Sequence, residues 1–141
     1  MMITTKGKYA LQTLLDIAEH TADDRQKVIS LKAIAERQNF SLKYLESIVA
    51  MLNRGGLVQS IRGKEGGYRL ARDPGEITVL EVMRATEGSL SPVSCLDNCP
   101  QEGCCSQEGC RTRPMWEKLD SMIDAYLSRI SLSALLEGRI D

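Results

Sequence analysis

A chain of 141 residues with 43% hydrophobic content is long enough to bury a core without a disulfide staple. It contains no run of eighteen apolar residues, which excludes a membrane-spanning helix. The formal net charge of −1 hides an asymmetry: residues 1–72 carry 12 Lys/Arg against 7 Asp/Glu, and residues 73–141 carry 6 against 12, so only the front half suits a polyanion.

The opening Met1-Met2-Ile3-Thr4-Thr5-Lys6 leads into an amphipathic pattern, not an uninterrupted apolar core. No secretory leader is expected there, and a reducing cytoplasm is the expected location. Residues 5–20 predict a first helix: Tyr9, Ala10, Leu11, Leu14, Leu15, Ile17 and Ala18 recur at helical spacing, with Lys6, Lys8, Gln12, Asp16 and Glu19 on the other face. His20, the only histidine, falls at the C-terminus of that helix, where a cation suits the helix dipole. His20 is thus the only candidate for the usual base of a catalytic cysteine, which disfavours one, and no enzyme is expected.

Ser30 is placed to cap a short helix over 31–37, with Leu31, Ile34 and Ala35 inward. Gln38-Asn39-Phe40 makes a tight turn, and Ser41 caps a longer helix over 42–54 that buries Leu45, Ile48, Val49 and Leu52. Lys43, Tyr44, Glu46 and Ser47 crowd its opposite, N-terminal surface, and Gly55-Gly56 stop it. Short helix, tight turn and longer helix describe either a helix-turn-helix or a plain helical bundle. The next segment favours the former. Val58-Gln59-Ser60-Ile61-Arg62 alternates like a strand, Gly63-Lys64-Glu65-Gly66-Gly67 turns, and Tyr68-Arg69-Leu70-Ala71 returns. A glycine-rich hairpin bearing Arg62, Lys64, Arg69 and Arg72 directly after such a motif reads as a wing able to approach a phosphate backbone.

These residues carry a family resemblance. Thr5-Lys6-Gly7-Lys8-Tyr9-Ala10, Ser41-Leu42-Lys43-Tyr44-Leu45-Glu46, and Gly56-Leu57-Val58-Gln59-Ser60-Ile61-Arg62-Gly63 running into Gly66-Gly67-Tyr68 resemble the Rrf2 family of bacterial winged-helix regulators. The resemblance extends over nearly the whole chain. It implies a mostly α fold with a small β-hairpin wing: a winged helix-turn-helix head plus a long C-terminal dimerisation helix. The implied function is a repressor-type, homodimeric DNA-binding regulator acting on a pseudo-palindromic operator in double-stranded DNA. The implied DNA-facing residues are Ser41, Lys43, Tyr44, Glu46, Ser47 and Arg54 on the recognition helix, with Arg62, Gly63 and Lys64 on the wing. Glu46 there can accept from a cytosine amino group or repel wrong sites.

After Asp73-Pro74-Gly75, Thr78-Val79-Leu80-Glu81 is a capping box opening a helix to about Glu87, with Leu80, Val82 and Met83 inward. From Ser89 to Arg113 no periodicity appears, and a stretch of that length is functional or disordered as a rule. Pro114 opens a last long helix whose stripe is Met115, Leu119, Met122, Ile123, Tyr126, Leu127 and Ile130. Such a stripe is expected to pack on its symmetry mate or, alternatively, inside the chain. Trp116 is expected to anchor packing beside the loop. Ser131-Leu132-Ser133-Ala134-Leu135-Leu136 adds a short terminal helix ending at Gly138. The expected division is a DNA-binding head over 1–72, a connecting helix and cysteine-rich loop over 73–113, and the dimerisation helix with the short helix over 114–141.

All five cysteines lie within residues 95–110, spaced Cys95-x3-Cys99-x4-Cys104 and Cys105-x4-Cys110. The tandem hexapeptides Cys-Pro-Gln-Glu-Gly-Cys and Cys-Ser-Gln-Glu-Gly-Cys suggest a local duplication. Clustered soft thiolates suit an iron–sulfur cluster, zinc or copper(I), or a thiol–disulfide switch without metal. In the alternative of a metal-stapled interaction module, the wing would be merely structural. The paired Cys-x-x-Cys knuckles of a structural zinc site are absent from the sequence. By resemblance to cluster-binding members of the family, Cys95, Cys104 and Cys110 are the implied ligands of an iron–sulfur cluster sensing cluster status, redox or nitric oxide. Some such members place a histidine ligand three residues after the last cysteine, where this chain has Arg113; others draw a carboxylate from the first helix, where it has Lys8. Arginine stays protonated and does not ligate. The fourth position falls to Cys105 or Cys99, for a two-iron or a four-iron cluster alike.

Overall fold

The computed structural model describes residues 3–97 and 110–140. In chain order these form α1 (Thr5–His20), α2 (Leu31–Gln38), α3 (Leu42–Arg54), β1 (Val58–Ile61), β2 (Gly67–Leu70), α4 (Val79–Glu87), a 3-10 turn (Ser94–Leu96), α5 (Arg113–Ser128) and α6 (Leu132–Leu136). The architecture is mostly helical with one antiparallel hairpin. Among the described residues no helix is long and apolar enough to cross a membrane.

Local chemistry sets the boundaries. Ser30, Ser41, Thr78 and Ser131 each accept a backbone N–H from the first turn of the helix that follows. Asn39 adopts the left-handed conformation, φ 58°, that separates α2 from α3 within a few residues. At Thr78 the box is reciprocal: Glu81 Oε2 accepts from the Thr78 N–H at 2.9 Å, and the Thr78 hydroxyl accepts from the Glu81 N–H at 3.2 Å.

One core joins the elements. Ala10, Leu14 and Ile17 of α1, Ile34 of α2, and Leu45, Ile48 and Leu52 of α3 meet Ile77, Val82 and Leu132. The hairpin pairs Val58 with Leu70 and Ile61 with Gly67, and Ile29 adds a bridge to Tyr68 through N···O bonds of 2.9 and 2.8 Å. Gly67 is needed there, since a Cβ would lie 2.4 Å from the Ile29 carbonyl oxygen.

Three details differ from the sequence reading. Asp16, placed on the polar face of α1, is 2% exposed and accepts from Arg37 Nε and Nη2 at 3.0 and 2.6 Å and from Gln38 at 2.9 Å. A buried carboxylate needs such partners, and they come from α2. Ile130, placed at the end of the last long stripe, lies beyond α5; it is buried, and its carbonyl accepts from the Val79 N–H at 2.8 Å. The chain turns back there because Leu132 of α6 completes the core at 0% exposure. The 3-10 turn places a short piece of regular structure inside the stretch read as irregular.

Candidate nucleic-acid interface and cysteine loop

The first turn of α3 is built for exposure on one side. Ser41 fixes its entry by accepting from the Tyr44 N–H at 3.1 Å, and the Ser47 hydroxyl donates to the Tyr44 carbonyl at 2.7 Å. Ser41, Lys43, Tyr44 and Ser47 together line a shallow groove of about 370 Å³. Glu46 is exposed on the same helix but outside that lining. Arg54 closes the other end of α3, roughly 18 Å away at 1.5 Å per residue. Arg62, Gly63 and Lys64 follow β1 in the exposed wing turn, which Gly66 N–H to Gly63 carbonyl closes at 3.0 Å. Lys64 also lines a groove of about 440 Å³ with His20, Lys27 and Ser30. His20 is oriented by its Nδ1, which donates to the Asp16 carbonyl at 2.8 Å.

At the second candidate site the structure brings out two of the five cysteines, one at each root of the loop. Cys95 is half-buried in the 3-10 turn. The segment leading to it is tied by Asp97, whose carboxylate accepts from Ser89 and Ser91 at 2.5 and 2.9 Å and is held below its ordinary pKa by those hydroxyls. Cys110 is half-buried just before α5, in a hollow of about 260 Å³ lined with Arg113, Pro114 and Glu117. Its thiol is pulled below its ordinary pKa, first by the Thr112 hydroxyl at 3.4 Å, then by the Thr112 and Arg113 N–H groups and the Arg113 charge. Arg113 Nε in turn donates to Glu117 at 2.9 Å within α5. Cys99, Cys104 and Cys105 lie outside the described residues. Trp116 is half-buried on the first turn of α5, and Lys8 is exposed on α1.

Sequence reasoning missed two groups that bear on these sites. Tyr9 stacks on Phe40 and meets Tyr44 edge-on, which the helical spacing showed only as a core position. Glu87 binds the start of α1 from eighty residues away, and no sequence signal reports such a pair.

A helix-turn-helix followed at once by a basic β-hairpin, with polar side chains grouped at the N-terminal end of its second helix, is the architecture of a winged-helix DNA-binding regulator. Residues 3–138 match the Rrf2 family model, an iron-dependent transcriptional regulator. The chain belongs to the Rrf2 family. It is 39% identical to the HTH-type transcriptional regulator IscR of Xenorhabdus nematophila over 139 residues, covering 99% of this chain and 81% of that one. Among solved structures it is similar to T. potens IscR, with TM-score 0.74 and 36% identity over 98% of this chain and 88% of the other. It is also similar to CymR, the global cysteine regulator of B. subtilis, with TM-score 0.77 and 33% identity over 96% and 95%.

Proposed function

We propose that the chain is a homodimeric, repressor-type DNA-binding regulator whose cysteine loop holds an iron–sulfur cluster as its sensor, in the reducing cytoplasm. The head over 1–72 reads DNA, the segment 73–113 carries the sensor, and 114–141 supplies the dimer seam. Two recognition helices about 34 Å apart enter successive major grooves of a pseudo-palindromic operator. Ser41, Lys43, Tyr44, Glu46 and Ser47 face the bases and phosphates, Arg54 adds a backbone contact, and Arg62, Gly63 and Lys64 follow the wing into the neighbouring groove.

The observation that carries the sensor reading is the placement of Cys95 and Cys110 at the two roots of the loop, in a chain whose family is described as iron-dependent. Cys95, Cys104 and Cys110 are the ligands of choice, and Cys105 or Cys99 fills the fourth position. When bound, the cluster supplies a redox- and nitric-oxide-sensitive centre whose gain or loss orders or releases the loop. A ligand biases the DNA-binding equilibrium only by its differential affinity for the two states. Support comes from the family's description as iron-dependent and from the likeness to IscR.

The test is the visible absorbance and iron and sulfide content of anaerobically purified protein. A brown protein with equal iron and sulfide is expected; a colourless, zinc-loaded protein overturns the sensor reading. On the DNA side, Arg62→Ala should weaken operator binding and reduce the slope of log K against log salt by about 0.9. An unchanged affinity and slope would remove the wing from the interface.

One observation favours a second reading, a thiol- or zinc-based regulator on the same fold. Arg113, at the position of the histidine ligand in some cluster-binding relatives, pairs with Glu117 and stays a cation. That reading predicts no visible chromophore and DNA binding that responds to thiol oxidants alone.

A further inference from the structure

Glu87 is the last residue of α4, and Gly88 follows at φ 75° to turn the chain toward the cysteine loop. Its Oε1 accepts from three donors at the start of α1: the Thr4 N–H at 2.9 Å, the Thr4 hydroxyl at 2.6 Å and the Gly7 N–H at 3.0 Å. Thr4 makes no side-chain cap bond of its own. The carboxylate therefore serves as the N-cap of α1, where negative charge also suits the helix dipole. Burial pushes the Glu87 carboxyl up, but the Thr4 and Gly7 donors and the Lys6 charge outweigh it and hold it below its ordinary range. This approach requires position 7 to lack a side chain, since a Cβ there would lie 2.5 Å from Glu87 Oε1 and 3.2 Å from Met83 Sδ.

Two residues further along α1, the Tyr9 ring lies 4.1 Å from Phe40, tilted by 34°, and 5.8 Å from Tyr44 at 81°. The edge-on Tyr9–Tyr44 contact has the centroid distance and angle that aromatic pairs prefer, and Phe40 packs closer still against the same ring. Phe40 ends the turn between α2 and α3, and Tyr44 stands in the groove with Ser41, Lys43 and Ser47. The first two turns of α1 thus touch the end of α4, which leads toward the cysteine loop, through Thr4 and Gly7, and the DNA-facing part of α3 through Tyr9. In the structure Glu87 satisfies those donors; without its carboxylate they would open to water.

We propose that Glu87 and Tyr9 are positioning residues for DNA recognition, joining the end of α4, which leads toward the cysteine loop, to Tyr44 through the first turns of α1. The proposal rests on the DNA-binding, loop-sensing reading above. It assigns the transmission to these residues rather than to the dimer seam.

The first experiment uses a duplex selected from random DNA by the wild-type protein, beside an unrelated duplex of equal length. Tyr9→Leu should weaken binding to the selected duplex about fivefold to tenfold and leave the unrelated one within about twofold, with Tyr9→Phe restoring the wild-type ratio. Equal losses on both duplexes, or none, overturn the role of Tyr9. A wild-type chain that selects no sequence at all overturns the DNA-binding reading itself, which keeps the two failures apart. The second experiment follows hydrogen exchange at the Gly7 amide. Glu87→Gln should speed it by about tenfold or more, and in the wild-type chain the rate should differ between metal-free protein and protein reconstituted with iron and sulfide. Should Glu87→Gln lower the folded fraction, Thr4→Ala, which removes one exposed donor, gives the same readout. Equal Gly7 rates in the two loop states overturn the link.

Discussion

α1 and α5 are each sixteen residues long, and both read from sequence as amphipathic helices. In the structure α1 buries seven residues, one of them a carboxylate, while α5 buries none. The partners of α1 all lie in the same chain. Those of α5 lie there only on one side, where Ile123 and Leu127 rest on the core. Met115, Leu119, Met122 and Tyr126 stay 38–56% exposed along the other side. A periodic stripe therefore tells that a helix has a partner but not where the partner is, and the two helices separate the cases. The first builds the head. The second leaves a seam open for another copy of the chain, as the proposed dimer requires.

The sharpest way to break that contrast is to place charge on the open stripe. Leu119→Asp with Met122→Asp should raise the dimer dissociation constant by on the order of a thousandfold or more, since each buried apolar side chain contributes about 1.5–3 kcal/mol and two are lost per protomer. Sedimentation should then show a monomer with wild-type helical content, because neither residue belongs to the core of the head. A double variant that dimerises like the wild type, or a wild type that is itself monomeric, removes α5 as the seam.

Inside the head the matching break is Asp16→Ala. It leaves Arg37 without its carboxylate and opens a gap at 2% exposure. Breaking a fully buried pair costs more, but the Arg37 side chain is 35% exposed, so about 2–3 kcal/mol is expected in urea unfolding. Burial alone would raise the Asp16 carboxyl; Arg37 and Gln38, helped by His20, hold it below its ordinary value. The folded state thus favours the charged form. Its contribution is complete above the unfolded carboxylate pKa and drains away as pH falls through the lower, folded one. Asp16→Asn should flatten the acid limb of the stability curve and change little of its shape near neutrality. An acid limb identical to the wild type would show that other carboxylates dominate it.

Most of the helical frame was legible because its signals are local. Ser30, Ser41 and Thr78 stand one residue before a periodic run, and the stripe of Leu45, Ile48, Val49 and Leu52 is buried as its spacing implies. The groove on α3 was equally legible, since Ser41, Lys43, Tyr44 and Ser47 all fall within the first two turns. What stayed hidden is tertiary. Asp16 read as a solvated residue because its partners, Arg37 and Gln38, are more than twenty residues away. Ile130 continued the spacing of α5 so well that only the bonds from Val79 to Ile130 and from Leu132 to Ile77 reveal the chain turning home. In the cysteine loop, composition pointed to metal or thiol chemistry, but spacing alone could not rank five cysteines or show that Thr112 conditions one of them.

The smallest expected effects come from comparing the starts of α4 and α5, the helices on either side of the loop. The reciprocal capping box of Thr78 stabilises α4, so Thr78→Ala should cost about 1 kcal/mol in thermal or urea unfolding. Thr112, at the start of α5, makes no side-chain cap bond; its hydroxyl goes to Cys110 Sγ at 3.4 Å, and Pro114 in the first turn has no N–H that needs a partner. Thr112→Val should therefore leave stability nearly unchanged and act on the thiol. In a chain keeping Cys110 alone, with Cys95, Cys99, Cys104 and Cys105 changed to Ser, the pH profile of Cys110 alkylation should move to higher pH in the Thr112→Val background. A profile that stays in place while stability falls would make Thr112 a helix cap after all, and Cys110 an ordinary thiol.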